Sequence, residues 1–176
     1  MNWLLIANLL YVYLTAAILI LVFSVGSYSD ILTSFLLENP QVPFLLLILL
    51  AVVILIGTVI FAIRLRKKIL TKEEIYTLAG SYRTMKLLQI PAYLIIFATG
   101  VLCLLTIFTF GISVILLIID GIGVALSGIY ALAVLQKLRE RELITTTRQI
   151  VLGVMSFVFC LDVIAAVIAG STRTRK

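Results

Sequence analysis

Two acids stand where acids are costly. Asp120 lies in LLIIDGIGVALSGIY at 116–130, and Asp162 lies in the apolar run 151–170. A carboxylate near the centre of a bilayer costs about 2.5–3.5 kcal/mol on insertion scales, and such a residue is a functional candidate by default. The chemistry it offers is binding of a cation, a proton or an amine. The plainer reading is a carboxyl that is protonated, or bonded to Ser or Thr, and holds helices together.

Polar residues at helical spacing accompany the acids. Ser113, Asp120 and Ser127 are seven apart, two turns, and form one stripe. Gly121 and Gly128 flank that stripe and would permit close helix approach. Asp162 is followed on its own face by Ala165, Ala166 and Ala169. Thr99, Cys103 and Thr106 form a second mildly polar line, and Asn8 and Thr15 add to it from the first apolar run.

Other chemistry is excluded by what is missing. With no histidine in the chain, Ser-His and Cys-His catalysis and the usual zinc sets are out. There is no Walker-type phosphate loop. The order Asp-Gly-Ile-Gly at 120–123 does not match the Gly-x-Gly-Asp of intramembrane aspartic proteases. Cys103 and Cys160 form neither a metal nor a disulfide pattern. No catalytic residue, metal or cofactor is expected, and the chain does not read as an enzyme.

The elements that must position these residues are membrane helices. Of 176 residues, 63% are hydrophobic and only 12% charged, against about 45–50% and about 25% in soluble domains. Mean hydropathy is +1.26. The expected fold is an all-α integral membrane protein, a single domain of about five transmembrane helices. The spans are 3–25, 44–63, 90–110, 112–135 and 149–170. Trp3 fits an interfacial anchor, and the uncharged start and long first run do not read as a cleaved signal.

The stretch 90–135 is too long for one span, at about 69 Å. It divides either at Phe110-Gly111 or at Asp120-Gly121-Ile122-Gly123. The second division leaves a span too short for a hydrocarbon core of about 30 Å, so length favours Gly111. By that division Asp120 lies roughly 13 Å below the turn, and Asp162 roughly 12 Å below Gly170. Antiparallel neighbouring helices would then bring the two acids to one depth. No Lys, Arg or His falls within any of these spans, so no internal cationic partner is expected. The pair would share a proton or meet a cation from water.

Between the second and third spans lies a cytoplasmic amphipathic segment, 72–88. Thr71-Lys-Glu-Glu74 reads as its capping box. Ile75, Leu78, Tyr82, Met85 and Leu88 share one face, and Lys72, Glu73, Arg83 and Lys86 the other. Pro91 should kink the chain after it. Thr146-Thr-Arg-Gln149 reads as a capping box for the fifth helix.

Charge placement sets the orientation. Seven of fourteen basic residues lie between Arg64 and Lys86, and four more in 137–148, whereas 27–41 has none. Cytoplasmic loops are rich in Lys and Arg, so the N-terminus is expected inside. The tail with Arg173, Arg175 and Lys176 would fall outside after five spans. A last segment that does not fully cross, or a tail that meets anionic groups, would explain it.

The function expected is binding or transport of a cation, proton or small amine-bearing solute, in a bacterial cytoplasmic membrane. Asp120 and Asp162 would carry it, with Ser127, Ser113, Thr106, Thr99 and Cys103 lining the site. The alternative is a non-catalytic accessory, sensor or immunity-type subunit that acts through its basic loop. Arg64, Arg66, Lys67, Lys68 and Lys86 are then expected at lipid headgroups or a protein partner. Membrane lipids are expected partners, with a protein subunit or a second copy as further candidates. Nucleic acid is not expected, because anionic headgroups account for the charge.

Overall fold

The computed structural model describes residues 2–24, 39, 41–105 and 110–174. Every regular element among them is helical: α1 (Asn2–Ser24), α2 (Gln41–Lys67), α3 (Lys72–Leu104), α4 (Phe110–Glu140), α5 (Thr146–Met155) and α6 (Leu161–Gly170), then a 3₁₀ turn, Ser171–Thr174. Four of these, α1 to α4, are long and apolar enough to cross a membrane. Large apolar side chains point outward along them, as Leu45, Ile48, Leu49 and Leu94 do. An outer surface of that kind suits lipid rather than water.

Local sequence explains the ends. α1 has neither Gly nor Pro in 23 residues. Pro43 of α2 sits in the first turn, where a missing N–H removes no helical bond. α3 opens on the capping box read from the sequence: the Thr71 N–H donates to Glu74 at 2.8 Å, and the Glu74 N–H donates to the Thr71 hydroxyl at 3.3 Å. α5 is capped one residue earlier than expected. Thr145 accepts from the Arg148 N–H at 3.3 Å, and with Arg at the third position no reciprocal box forms.

α3 packs against α1, α4 and α6, and α2 packs against α1 and α4. The directions follow from paired residues. Trp3 and Leu4 meet Gly57, and Tyr11 meets Gly123. The Ser113 hydroxyl bonds the Gly100 carbonyl, Ser127 meets Lys86, and Arg141 reaches the Leu70 carbonyl. So α1 and α3 run one way, α2 and α4 the other. Lys67, Lys72 and Glu140 therefore gather at one end of the bundle, together with the start of α1.

Three expectations change here. First, the segment 72–88 and the span that follows are one helix, which runs on through Pro91. Pro91 has no N–H to give to the Leu87 carbonyl four residues before it, and the helix continues regardless. Second, the apolar face of 72–88 does not lie on a lipid surface. Ile75, Leu78, Tyr82 and Met85 are buried in a core with Tyr130, Val134, Leu138, Ala165 and Ala169. A bundle interior and a lipid surface demand the same periodicity, so sequence alone does not separate them.

Third, the fifth span is not one helix. It breaks over 156–160, where Cys160 takes a φ of 66°. α5 descends along α4, with Gly153 against Leu132 and Gly128 against Phe157. α6 then climbs back along α3, with Asp162 at Lys86 and Gly170 against Ala79 and Arg83. Each arm has ten residues, about 15 Å, half of a hydrocarbon core of about 30 Å. The pair is a helical hairpin, and neither arm is long enough to cross a membrane by itself. It returns Ser171–Thr174 toward the end of the bundle where α3 begins.

The topology is testable by labelling. With Cys103 and Cys160 replaced, single cysteines at Ile69 and Thr172 should react with an impermeant thiol reagent from the same side of the membrane. Reaction from opposite sides would mean that α5 and α6 cross as one span.

Candidate functional site

The bundle interior holds a continuous polar network on α3. Lys86, Gln89 and Tyr93 lie at helical spacing on one face, and all three are buried. Lys86 is fully enclosed, as are Ser127 and Asp162. Its ammonium donates to the Asp162 carboxylate, to the Ser127 hydroxyl at 2.6 Å and to the Tyr93 hydroxyl at 3.2 Å. An ammonium has three N–H groups, and here each has an acceptor. Tyr93 in turn lies 3.4 Å from the Gln89 carbonyl oxygen, and the Gln89 amide donates to Asn8 at 2.8 Å. The line thus runs from α6 through α3 to α1, with α4 at its side.

Asp162 is equally well held. One carboxylate oxygen takes the Lys86 bond, and the other accepts from the Val163 N–H at 2.8 Å. It sits in the first turn of α6, where the helix dipole favours a negative charge. Small residues let α6 come this close: Ala165, Ala166 and Ala169 are all buried against α3.

This corrects two expectations. Lys86 is not on a solvated face near headgroups; it is buried, and it is the internal cation that the span boundaries exclude. The boundary at Ile90 hides it, because that division assigns Lys86 and Gln89 to a surface segment. Nor do the two aspartates share a depth. Asp162 is level with Ser127, and Asp120 lies seven residues nearer the start of α4, about 10 Å away. The doubling back of the last segment is the reason.

Asp120 is placed differently. It lies inside α4, ten residues from the helix start, so the Asp-Gly-Ile-Gly stretch is helical. It is half-buried and has no hydrogen-bond or ion-pair partner among the described residues. It lines a cavity of about 360 Å³ with Phe97, Ser113, Gly121, Phe157 and Phe159. This cavity lies between α3 and α4, beyond the tip of the hairpin, where no arm fills the space. Phe97 and Phe159 stack at 6.2 Å, and Phe159 meets Tyr93 edge-on at 5.6 Å. The cavity thus ends where the polar network begins.

The remaining expected residues divide. Ser113 lines the cavity and bonds Gly100, and Ser127 belongs to the buried network. Thr99 bonds its own helix at Ile95, and Cys103 is buried. Thr106 lies outside the described residues. Gly128 does allow close approach, to Phe157, but Gly121 has nothing within reach of an added Cβ; Gly123, against Tyr11, takes that role. Arg64, Arg66, Lys67 and Lys68 are exposed at the basic end. No group of three or more metal-ligating side chains occurs among the described residues.

A buried pair loses more when one partner is removed than when both are. Lys86→Met or Asp162→Asn alone should each destabilise the protein by about 3–5 kcal/mol in detergent unfolding. The double variant K86M/D162L should recover most of that loss. Equal, additive losses would mean the charges do not depend on each other. No family model, curated protein or solved structure matches the chain, so its function has to be read from this geometry.

Proposed function

We propose that the chain is a membrane-embedded binding protein for a monovalent organic cation, an amine with an apolar body, and that Asp120 is its anionic anchor. The observation that carries this is the contrast between the two acids. Asp162 is fully bonded to Lys86 and the backbone. Asp120 is unpaired among the described residues and faces a cavity. An acid in such a place is stabilised by a cation that arrives with its own apolar surface.

The lining suits that ligand. Phe97, Phe157 and Phe159 line the same cavity as Asp120. Aromatic faces attract cations, more strongly where water is excluded. Ser113 is already bonded to the Gly100 carbonyl, so Asp120 supplies the charge. Cavities of this size hold small ligands with a few placed polar groups. The apolar walls let a ligand enter sideways from the lipid.

The accessory-subunit reading loses most of one surface, because Ile75, Leu78, Tyr82 and Met85 of the apolar face of 72–88 are buried inside the bundle and Leu88 is left exposed. An N-terminus on the inside is the orientation that the rule for cytoplasmic loops supports, since the basic loops 64–72 and 137–148 share one end of the bundle. In that orientation the Asp120 cavity would open in the far half of the bilayer.

In nanodiscs, labelled dodecylamine should bind saturably, and Asp120→Asn should weaken it about 10-fold or more, as expected for a lost charged hydrogen bond. Equal affinity in wild type and variant would dismiss Asp120 as the anchor.

A further inference from the structure

A second cavity has the shape and charge of a lipid site, and it involves neither aspartate. On α2, Val53, Ile56, Gly57, Ile60 and Arg64 form one stripe along the helix, and Lys68 follows just past its end. With Trp3 of α1 they line a groove of about 630 Å³. Its walls are apolar for most of their length and its cations stand at one end.

Three dimensions point to the occupant. The apolar part, Val53 to Arg64, is eleven residues long, about 16 Å. That is one leaflet of a hydrocarbon core of about 30 Å. The cationic end lies at the basic end of the bundle, beside the turn between α2 and α3. There Arg64 has no hydrogen bond or ion pair among the described residues, and Lys68 is only loosely held by exposed Glu74 at 3.3 Å. Lys68 also borders a second, polar cavity with Arg66, Lys67, Lys137, Arg141 and one acid, Glu140, which pairs with Lys137 at 2.6 Å. With Glu74 and Glu140 counted, a headgroup at Lys68 still meets an excess of positive charge.

The groove is also built. Gly57 has no side chain, so Trp3 and Leu4 close over the α2 backbone; an added Cβ would come within 2.7 Å of both. The indole lies against Gly57, midway along the groove, and it is half exposed at 54%.

We infer that this groove binds an anionic phospholipid, with an acyl chain along Val53–Ile60 and the phosphate between Arg64 and Lys68. A neutral-headgroup lipid fits the apolar part and gains nothing from the cations. A basic residue near the surface is worth about fivefold in affinity for an anionic lipid, less at high salt.

Trp3 is the only tryptophan, so its fluorescence reports this groove alone. Reconstituted protein is titrated in phosphatidylcholine vesicles with dibrominated phosphatidic acid or dibrominated phosphatidylcholine, whose bromines quench on contact. Phosphatidic acid should quench at a mole fraction at least about fivefold lower. Arg64→Gln with Lys68→Gln, both on exposed side chains, should abolish the preference, and raised salt should shrink it in wild type. Equal quenching by both lipids would overturn the proposal. So would quenching by neither, as when a second copy covers the groove. If millimolar inorganic phosphate alone removes the preference at constant ionic strength, the cations form a free-phosphate site and the acyl-chain claim fails.

Discussion

An ammonium with no access to water must find all its hydrogen bonds inside the protein. That demand at Lys86 organises this structure. Stripping either charge of water costs several kcal/mol, and attraction repays it only with good geometry and further bonds. Here the further bonds come from Ser127 of α4 and Tyr93 of α3, and the counter-charge from Asp162 of α6. Three helices must therefore meet at one level. Tyr93, Gln89 and Asn8 extend the requirement to α1.

The hairpin follows from the same contact. A ten-residue arm is too short to cross, and its tip leaves the helical ladder over 156–160. Such backbone persists at membrane depth only when protein packs around it. Ser156 is buried and bonds back to Leu152, and Asp162, two residues beyond Cys160, fastens the returning arm. Because the hairpin stops at Phe157 and Phe159, the rest of the α3–α4 interface stays open. Asp120 faces that space, so one acid is bonded at the returning arm and the other is the anchor in the proposed function.

Much of the scaffold is legible in the sequence. Long apolar runs mark α1, α2 and α4, and span length places Asp120 inside a helix rather than in a turn. Acids in apolar runs are conspicuous, which is why both stand out. The partner is not legible. Lys86 shares its turn with Arg83 and its helix with Glu73 and Lys72, so it reads as one of a solvated set. Only the contiguity of Lys86, Gln89 and Tyr93 on one face hints at burial, and dividing the chain at Ile90 cuts that stripe in two. The break is less legible still: SFVFC at 156–160 has neither Gly nor Pro.

If the Lys86–Asp162 pair pins the helical hairpin, the backbone around the tip should lose its protection when the pair is broken. Hydrogen–deuterium exchange of residues 156–164, measured in nanodiscs, tests this most directly. In wild type these amides should exchange slowly, as those of α4 do. In Lys86→Met they should exchange much faster while α1 and α2 stay protected. Unchanged protection of 156–164 in that variant would show that packing alone holds the arm and that the ion pair does not pin it.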